Sequence, residues 1–229
     1  MRTGAPSCCA CAVAWPGCEP AVQRRRGTGR EVPEVRLLVV YGHPVPGSFS
    51  GAVLDRLVTV LAAQGHEVDL IDLYADGFDP VLVEGERQAV FEAGSADPVV
   101  ATHVRRLLAA QGLVLVYPTW WGGLPAIVKG WVDRVFVLGA VYDLVPGRNR
   151  VTGRLRNIGR LAAVTSHGSP KLVNTLQGEP GKLLVTRQLR ALCHWRCRTT
   201  WLAHYGDDRA GDEERRAFLD KVETITRRW

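Results

Sequence analysis

Three short stretches hold the side chains with chemistry to offer: Gly42-His43-Pro44-Val45-Pro46-Gly47-Ser48-Phe49-Ser50, Pro118-Thr119-Trp120-Trp121-Gly122-Gly123, and Thr165-Ser166-His167-Gly168-Ser169. The first offers hydroxyls and backbone N–H groups just where a helix would begin, which is a ready anion site. Ordinary helix capping by Ser48 or Ser50 explains the same residues equally well. Neither G-x-G-x-x-G nor a Walker pattern is present, so a dinucleotide fingerprint and a P-loop are disfavoured. The second stretch sets two indoles beside two glycines. Adjacent side chains on an extended loop point opposite ways, so one core cannot bury both and at least one faces a pocket. Such a wall, with polar backbone at its edge, suits a planar heterocycle. The third adds small polar groups and a histidine, which in a loop of this kind is more often a surface residue than a catalyst.

Strands and helices must bring these stretches together. Val35 to Tyr41 is a continuous apolar run, interrupted only by Arg36, as a buried parallel strand requires. Val53, Leu54, Leu57, Val58 and Leu61 then recur at helical spacing until Gly65. Glu67 to Leu73 starts with alternating charged and aliphatic residues, the mark of a sheet edge. A short helix is expected over Glu84 to Phe91, and another opens at Asp97-Pro98 with the Asp as N-cap and the Pro at the first helical position. Leu113 to Tyr117 is the next strand. Beyond Pro125, Ile127, Val128, Trp131, Val132, Val135 and Phe136 form an apolar stripe wide enough for the sheet and a neighbouring subunit, with Lys129, Asp133 and Arg134 off it. Gly139 to Asn157 reads as a surface excursion, Leu161 to Thr165 as the fourth strand and Ser166 to Gly181 as a second long loop. Helix from Gly181 to Cys193, strand from Arg198 to Tyr205 and helix from Asp212 to Arg228 close the chain.

Alternating strands and helices imply an α/β fold, a doubly wound five-stranded parallel sheet with right-handed crossovers. With the second strand at an edge, the order 2-1-3-4-5 of flavodoxin-like sheets fits best. That order makes the first and third strands neighbours at the switch point, so the three stretches converge on one cleft. Phosphate on the first and an isoalloxazine between the other two would make a flavin site.

Composition narrows the alternatives. With 46% hydrophobic and 23% charged residues the 229-residue chain reads as one globular core, and its longest apolar runs fall far short of the roughly 20 residues of a membrane helix. No stable membrane insertion is expected. Two of the six net positive charges fall before Val35; among the rest, Arg148, Arg150, Arg154, Arg156 and Arg160 are densest. That region has no interleaved aromatic, so a nucleic-acid partner is not expected; a solvated loop is the plainer reading and an NADPH-binding site the sharper one. Residues 1 to 33 mix Gly, Pro, Cys and Arg without periodicity and lack the apolar run of a secretory signal; they read as a disordered extension to a domain over 34–229. Cys8, Cys9, Cys11 and Cys18 lack a paired C-x-x-C or a nearby His, so no metal is expected there. Cys193 and Cys197 suit small core residues, and reduced thiols fit a cytoplasmic protein.

The segments YGHPVPGSFS, DLYADGFDPVL, YPTWWGGLPAIVKGWVDRVF with Gly139 and Tyr142 beyond it, and TSHGS closely resemble the flavodoxin-like NAD(P)H:quinone oxidoreductase family, from about Val35 to the C-terminus. The resemblance implies a cytoplasmic homodimer holding FAD, or FMN, which takes hydride from NAD(P)H and gives two electrons to a quinone-like acceptor in a ping-pong cycle. By the same resemblance His43, Ser48, Phe49 and Ser50 hold the phosphate and ribityl region, and Pro118, Thr119, Trp120, Trp121 and Gly122 the isoalloxazine. Thr165, Ser166, His167 and Gly168 close over the ring, and Phe78 and Asp79 lie near the dimer interface. Where animal members carry a Tyr and a His that stabilise charge on the reduced flavin, this chain has Asn174 and Pro180. His167 is the candidate catalytic substitute. Two further roles stay open, a flavin-binding regulatory subunit of a cation-efflux system and a flavodoxin-type electron carrier; the wide helix stripe favours a dimer over a small carrier.

Overall fold

The computed structural model describes residues 35–89 and 97–229. The expected extension over 1–33 and the end of the helix expected to reach Phe91 lie outside the described residues. Five parallel strands, β1 (Arg36–Tyr41), β2 (Glu67–Asp72), β3 (Gly112–Thr119), β6 (Arg160–His167) and β7 (Arg198–Tyr205), form one sheet in the order β2-β1-β3-β6-β7. Two short strands, β4 (Tyr142–Leu144) and β5 (Val151–Gly153), form a separate antiparallel hairpin. Counting only the large sheet, the order is the expected 2-1-3-4-5, with the charged β2 at one edge.

The central strands are apolar on both faces because helices cover both. Leu37, Val39, Tyr41, Val114, Val116, Ala162 and Val164 pack under α1 (Phe49–Ala63) and the closing helix α7 (Asp212–Thr226). Leu38, Val40, Leu113, Leu115 and Tyr117 pack under α3 (Pro98–Ala109) and α4 (Ala126–Val135). Asp97 caps α3, accepting from the N–H groups of Val99 and Val100; α2 (Glu84–Ala89) precedes it. At the β1 carboxyl end a side chain on Gly42 would meet Val128 Cγ2 at 2.3 Å, so the first loop crosses directly over α4 and glycine is needed there.

Four expectations change. Most of the α4 stripe is consumed within the chain: Val128, Trp131 and Val135 have no exposure, and only its margin, Val132 and Phe136, borders an open groove. Arg134 is not off the core but buried in it, ion-paired to Glu86 and Asp97. Phe78 is 5% exposed and stacks on the His103 ring. The excursion over 139–157 is the β4–β5 hairpin, anchored by fully buried Val141 and Leu155; the second long loop contains α5 (Lys171–Leu176) and runs into α6, a helical stretch over 180–192 whose middle, Leu184–Leu189, is π-helical. Short, polar or irregular helices of this kind leave no apolar periodicity to read. Cys193 and Cys197 are free and buried.

Candidate functional site

Strand register builds the site. Pro118 and Thr119 pair with Ser166 and His167, which pair in turn with His204 and Tyr205. The third stretch is therefore strand as far as His167 rather than loop, held from both sides. Directly opposed residues on neighbouring strands share a face, so Thr119, His167 and Tyr205 form a lateral row at the carboxyl end of the sheet. The row is in contact: Thr119 Oγ1 lies 3.3 Å from His167 Nε2, and the His167 and Tyr205 rings stack at 4.7 Å.

His167 is 3% exposed, which corrects the expectation of a surface histidine. Its Nδ1 lies 2.7 Å from Asn174 Oδ1, and the Asn174 amide is oriented by donating to the carbonyls of Ser169 at 2.9 Å and Pro170 at 3.0 Å. With both amide hydrogens so used, the oxygen faces the ring and Nδ1 must carry the proton. The free lone pair is then on Nε2, turned to Thr119 Oγ1, which also lies 2.9 Å from Thr165 Oγ1. Burial pushes the imidazole below its ordinary pKa, against smaller upward pulls from the Asn174 hydrogen bond and the Glu179 charge. Glu179 sits in a left-handed conformation at φ 42° and accepts hydrogen bonds from Tyr205 Oη and Lys182 Nζ.

The indole stretch is a tight reversal. Trp120 and Gly123 exchange backbone hydrogen bonds of 3.1 and 3.0 Å, and Trp121 and Gly122 between them take φ of 50° and 76°. Two positive φ values define a type I′ turn, which glycine tolerates and a bulky residue does not. Trp121 occupies it at a strain of roughly 1–2 kcal/mol, with its indole fully exposed and that of Trp120 41% exposed. The strain places an aromatic face where no core residue covers it. Replacing Trp121 by glycine removes strain and no packing, so Trp121→Gly is expected to raise the stability of the cofactor-free chain by about 1 kcal/mol in urea unfolding, while weakening retention of a planar ligand. A loss of stability would contradict the assignment of strain.

Thr119, Trp120, Trp121, Gly122, His167 and Gly168 line one cavity of about 670 Å³. Ser169, Asn174, Gln177 and Asp208 complete it. Asp208 arrives from the loop after β7, and its carboxylate covers Gly168 so closely that a Cβ there would meet Oδ2 at 2.4 Å. No motif marks Gln177 or Asp208; only the convergence of carboxyl-end loops signals them. Pro118, Thr165 and Ser166 lie in the paired strand ends behind the wall.

The first loop divides. Ser48 is the N-cap of α1, its Oγ accepting from Gly51 N at 3.2 Å and lying 3.3 Å from Tyr41 Oη. His43 folds back on its own loop, its Nδ1 accepting from Val45 N at 3.0 Å, with its ring edge-on to Trp120 at 6.2 Å. Phe49 turns away from the cavity onto His204 and Phe218, and Ser50 is buried in α1. No residue of the first loop lines the cavity, and its link to the indole turn is the His43 ring.

The family model described as flavodoxin-like fold matches residues 35–225. The chain belongs to the flavodoxin-like family. A Streptococcus mutans crystal structure is 30% identical, with a TM-score of 0.75 over 85% of this chain and 100% of that one. The NAD(P)H:quinone oxidoreductase of Methanothermobacter marburgensis, 22% identical with a TM-score of 0.71 over 85% of this chain and 96% of that one, shares the fold. NAD(P)H dehydrogenase [quinone] 1 of Rattus norvegicus is 30% identical over 166 residues, which span 66% of this chain and 60% of the rat protein. The chain thus matches less than two thirds of that relative's length. Flavodoxin-like sheets carry their ligands at the strand carboxyl ends, where the indole turn and the His167 row meet.

Proposed function

We propose that the chain is an NAD(P)H-dependent flavin oxidoreductase that reduces quinones or related electrophiles by two electrons in a ping-pong cycle. One observation carries this reading: the cavity of about 670 Å³ at the carboxyl ends of β3, β6 and β7, walled by two indoles that no core residue covers. Its volume falls within the usual range of small-molecule sites, and aromatic faces with backbone N–H groups at their edge are the chemistry a flavin needs. The similarity to the rat quinone dehydrogenase supports the same acceptor class.

The residues fit the group. Ser48, with the first turn of α1 and His43, would hold the phosphate and ribityl end, by helix N–H groups and the favourable dipole. Trp120, Trp121, Gly122 and the Pro118-Thr119 backbone would hold the isoalloxazine, and Thr165, Ser166, His167 and Gly168 its far edge. A bound flavin supplies the redox chemistry, accepting hydride from NAD(P)H and returning two electrons to the acceptor. The protein fixes orientation and charge. Neutral His167, protonated at Nδ1, can take a proton at Nε2 when negative charge develops in the cavity, and the Glu179 carboxylate favours the resulting cation. FAD is our first assignment and FMN the second.

Of the arginines after Gly147 that suggested NADPH, two stand apart from the cavity. Arg154 pairs with Asp143, and Arg160 lies at the opposite end of β6 from His167. A homodimer remains part of the proposal, placed on the apolar groove of about 560 Å³ between α4, the hairpin and α6, with Phe136, Tyr142 and Leu184 in its lining. The mass in solution tests it. Among the described residues no helix is long and apolar enough to cross a membrane.

The decisive experiment is spectroscopic. Purified protein should be yellow, bleach anaerobically with NADPH or NADH, and regain colour with menadione. A colourless chain that takes up neither FAD nor FMN would overturn the reading; bleaching only by one-electron donors would instead assign a carrier.

A further inference from the structure

At the amino ends of β6 and β7, away from the site described above, Arg160, Arg198 and Arg228 line a second cavity, of about 360 Å³, with Thr200, Ile225 and Trp229. Arg160 and Arg198 are register partners on adjacent strands, about 4.8 Å apart along the hydrogen-bonding direction. The guanidiniums of Arg36, Arg56, Arg106, Arg134, Arg154, Arg215 and Arg227 each have a carboxylate within 4 Å. Among the described residues the three around this cavity have none, and their side chains make no hydrogen bond. Arg198 and Arg228 are exposed, but Arg160 is half-buried, and burial first, then the Arg198 charge, push its guanidinium below the ordinary value. Partly buried charges are ordinarily paired.

We propose that this cavity binds a phosphate-type oxyanion, clamped by the Arg160 and Arg198 forks with Arg228 and the Thr200 hydroxyl. Planar guanidiniums match such an anion in pairs of parallel hydrogen bonds. Ile225 and Trp229 provide an apolar wall for an organic body attached to it. Arg160 and His167 are the two ends of an eight-residue strand, a span of roughly 23 Å at 3.3 Å per residue, so this anion is not the phosphate of a ligand in the Trp120–His167 cavity. The inference stands independently of the flavin.

Thermal melts of the full chain in sodium phosphate and in sodium chloride at matched ionic strength test it, with wild type, Arg198→Gln and Arg198→Lys. The wild type should melt about 2–4 °C higher in saturating phosphate than in chloride, and Arg198→Gln should lose at least two thirds of that difference while Arg198→Lys keeps more of it. In chloride alone Arg198→Gln should melt above the wild type, because a like-charged neighbour of Arg160 is gone. The opposite signs in the two salts separate a binding site from a structural role. An undiminished phosphate shift in Arg198→Gln, or a wild type that melts at the same temperature in both salts, would overturn the proposal. Phenyl phosphate identifies the source: half-saturation at least tenfold below that of inorganic phosphate assigns an organic phosphomonoester, and equal values assign the free ion.

Discussion

Arg134→Ala should cost the chain about 3–5 kcal/mol of stability. Arg134 is 6% exposed, and its guanidinium donates to Glu86 Oε1 at 2.7 Å, to Asp97 Oδ2 at 2.6 Å and to the Asp79 carbonyl at 2.5 Å. Removing one partner of a buried pair leaves the other charge uncompensated, a cost of about 3–5 kcal/mol, out of the roughly 5–15 kcal/mol that holds a domain together. Urea unfolding followed by far-UV circular dichroism reads it directly, and a loss below about 1 kcal/mol would contradict the account. The cluster also ties three elements together, since Asp97 caps α3, Glu86 belongs to α2 and Arg134 to α4.

The same cluster sets an acid limit. Burial alone would raise the Asp97 carboxyl, but the hydrogen bonds from Arg134 and from the Val99 and Val100 N–H groups outweigh it, so the net shift is downward. An unfolded aspartate takes up its proton near about pH 4, before the folded one does, so this contribution is complete above that pH and is lost as the pH falls through the folded value. Asp69, held low by Arg106 and Arg36 against its own burial, behaves alike. A variant lacking Arg134 that still folds at low temperature should show a shallower acid slope, with the Asp69 part remaining.

The legibility of this chain follows its periodicity. β1, β3 and β6 were readable because strands buried on both faces are nearly continuous apolar runs, the edge strand β7 because it is rich in Thr, Trp and Tyr, and α1 and α4 because their stripes are clean. Topology placed the site at the carboxyl end of the sheet, and the cavity lies there, over β3, β6 and β7. What escaped was whatever periodicity does not encode. Arg134 reads as a solvent-facing charge until Glu86 and Asp97, distant in sequence, close around it. Ser166 and His167 read as the start of a loop because they are polar, yet hydrogen bonds to strands on both sides make them strand. Phe49 carries the family pattern but its ring belongs to the core with Phe218, and Asp208 reaches the cavity from a loop with no motif.

His167 shows how those two kinds of information combine into a mechanism with a large expected effect. Its sequence position made it the candidate for a missing proton relay; its surroundings determine which atom can serve. Nδ1 is committed to Asn174, so only Nε2 can gain a proton, and burial keeps it vacant at neutral pH. A positioned proton acceptor of this kind contributes typically 10²–10⁴-fold. His167→Gln retains a donor toward Asn174 but cannot titrate, so it should keep its flavin while anaerobic bleaching by NAD(P)H slows at least about 10²-fold. His167→Ala should slow it as much and also lose stability, because the Asn174 oxygen is left buried without its donor. The pH dependence separates proton transfer from mere packing. The unfolded histidine protonates near about 6.5 and the folded one only below that, so wild-type stability should fall as the pH drops through about 6.5 toward the folded value, and the pH profile of kcat/KM should bend in the same lower range. Both features should vanish in His167→Gln. If that variant bleaches at the wild-type rate with the same profile, Nε2 holds no proton during turnover and His167 only orders the strand end.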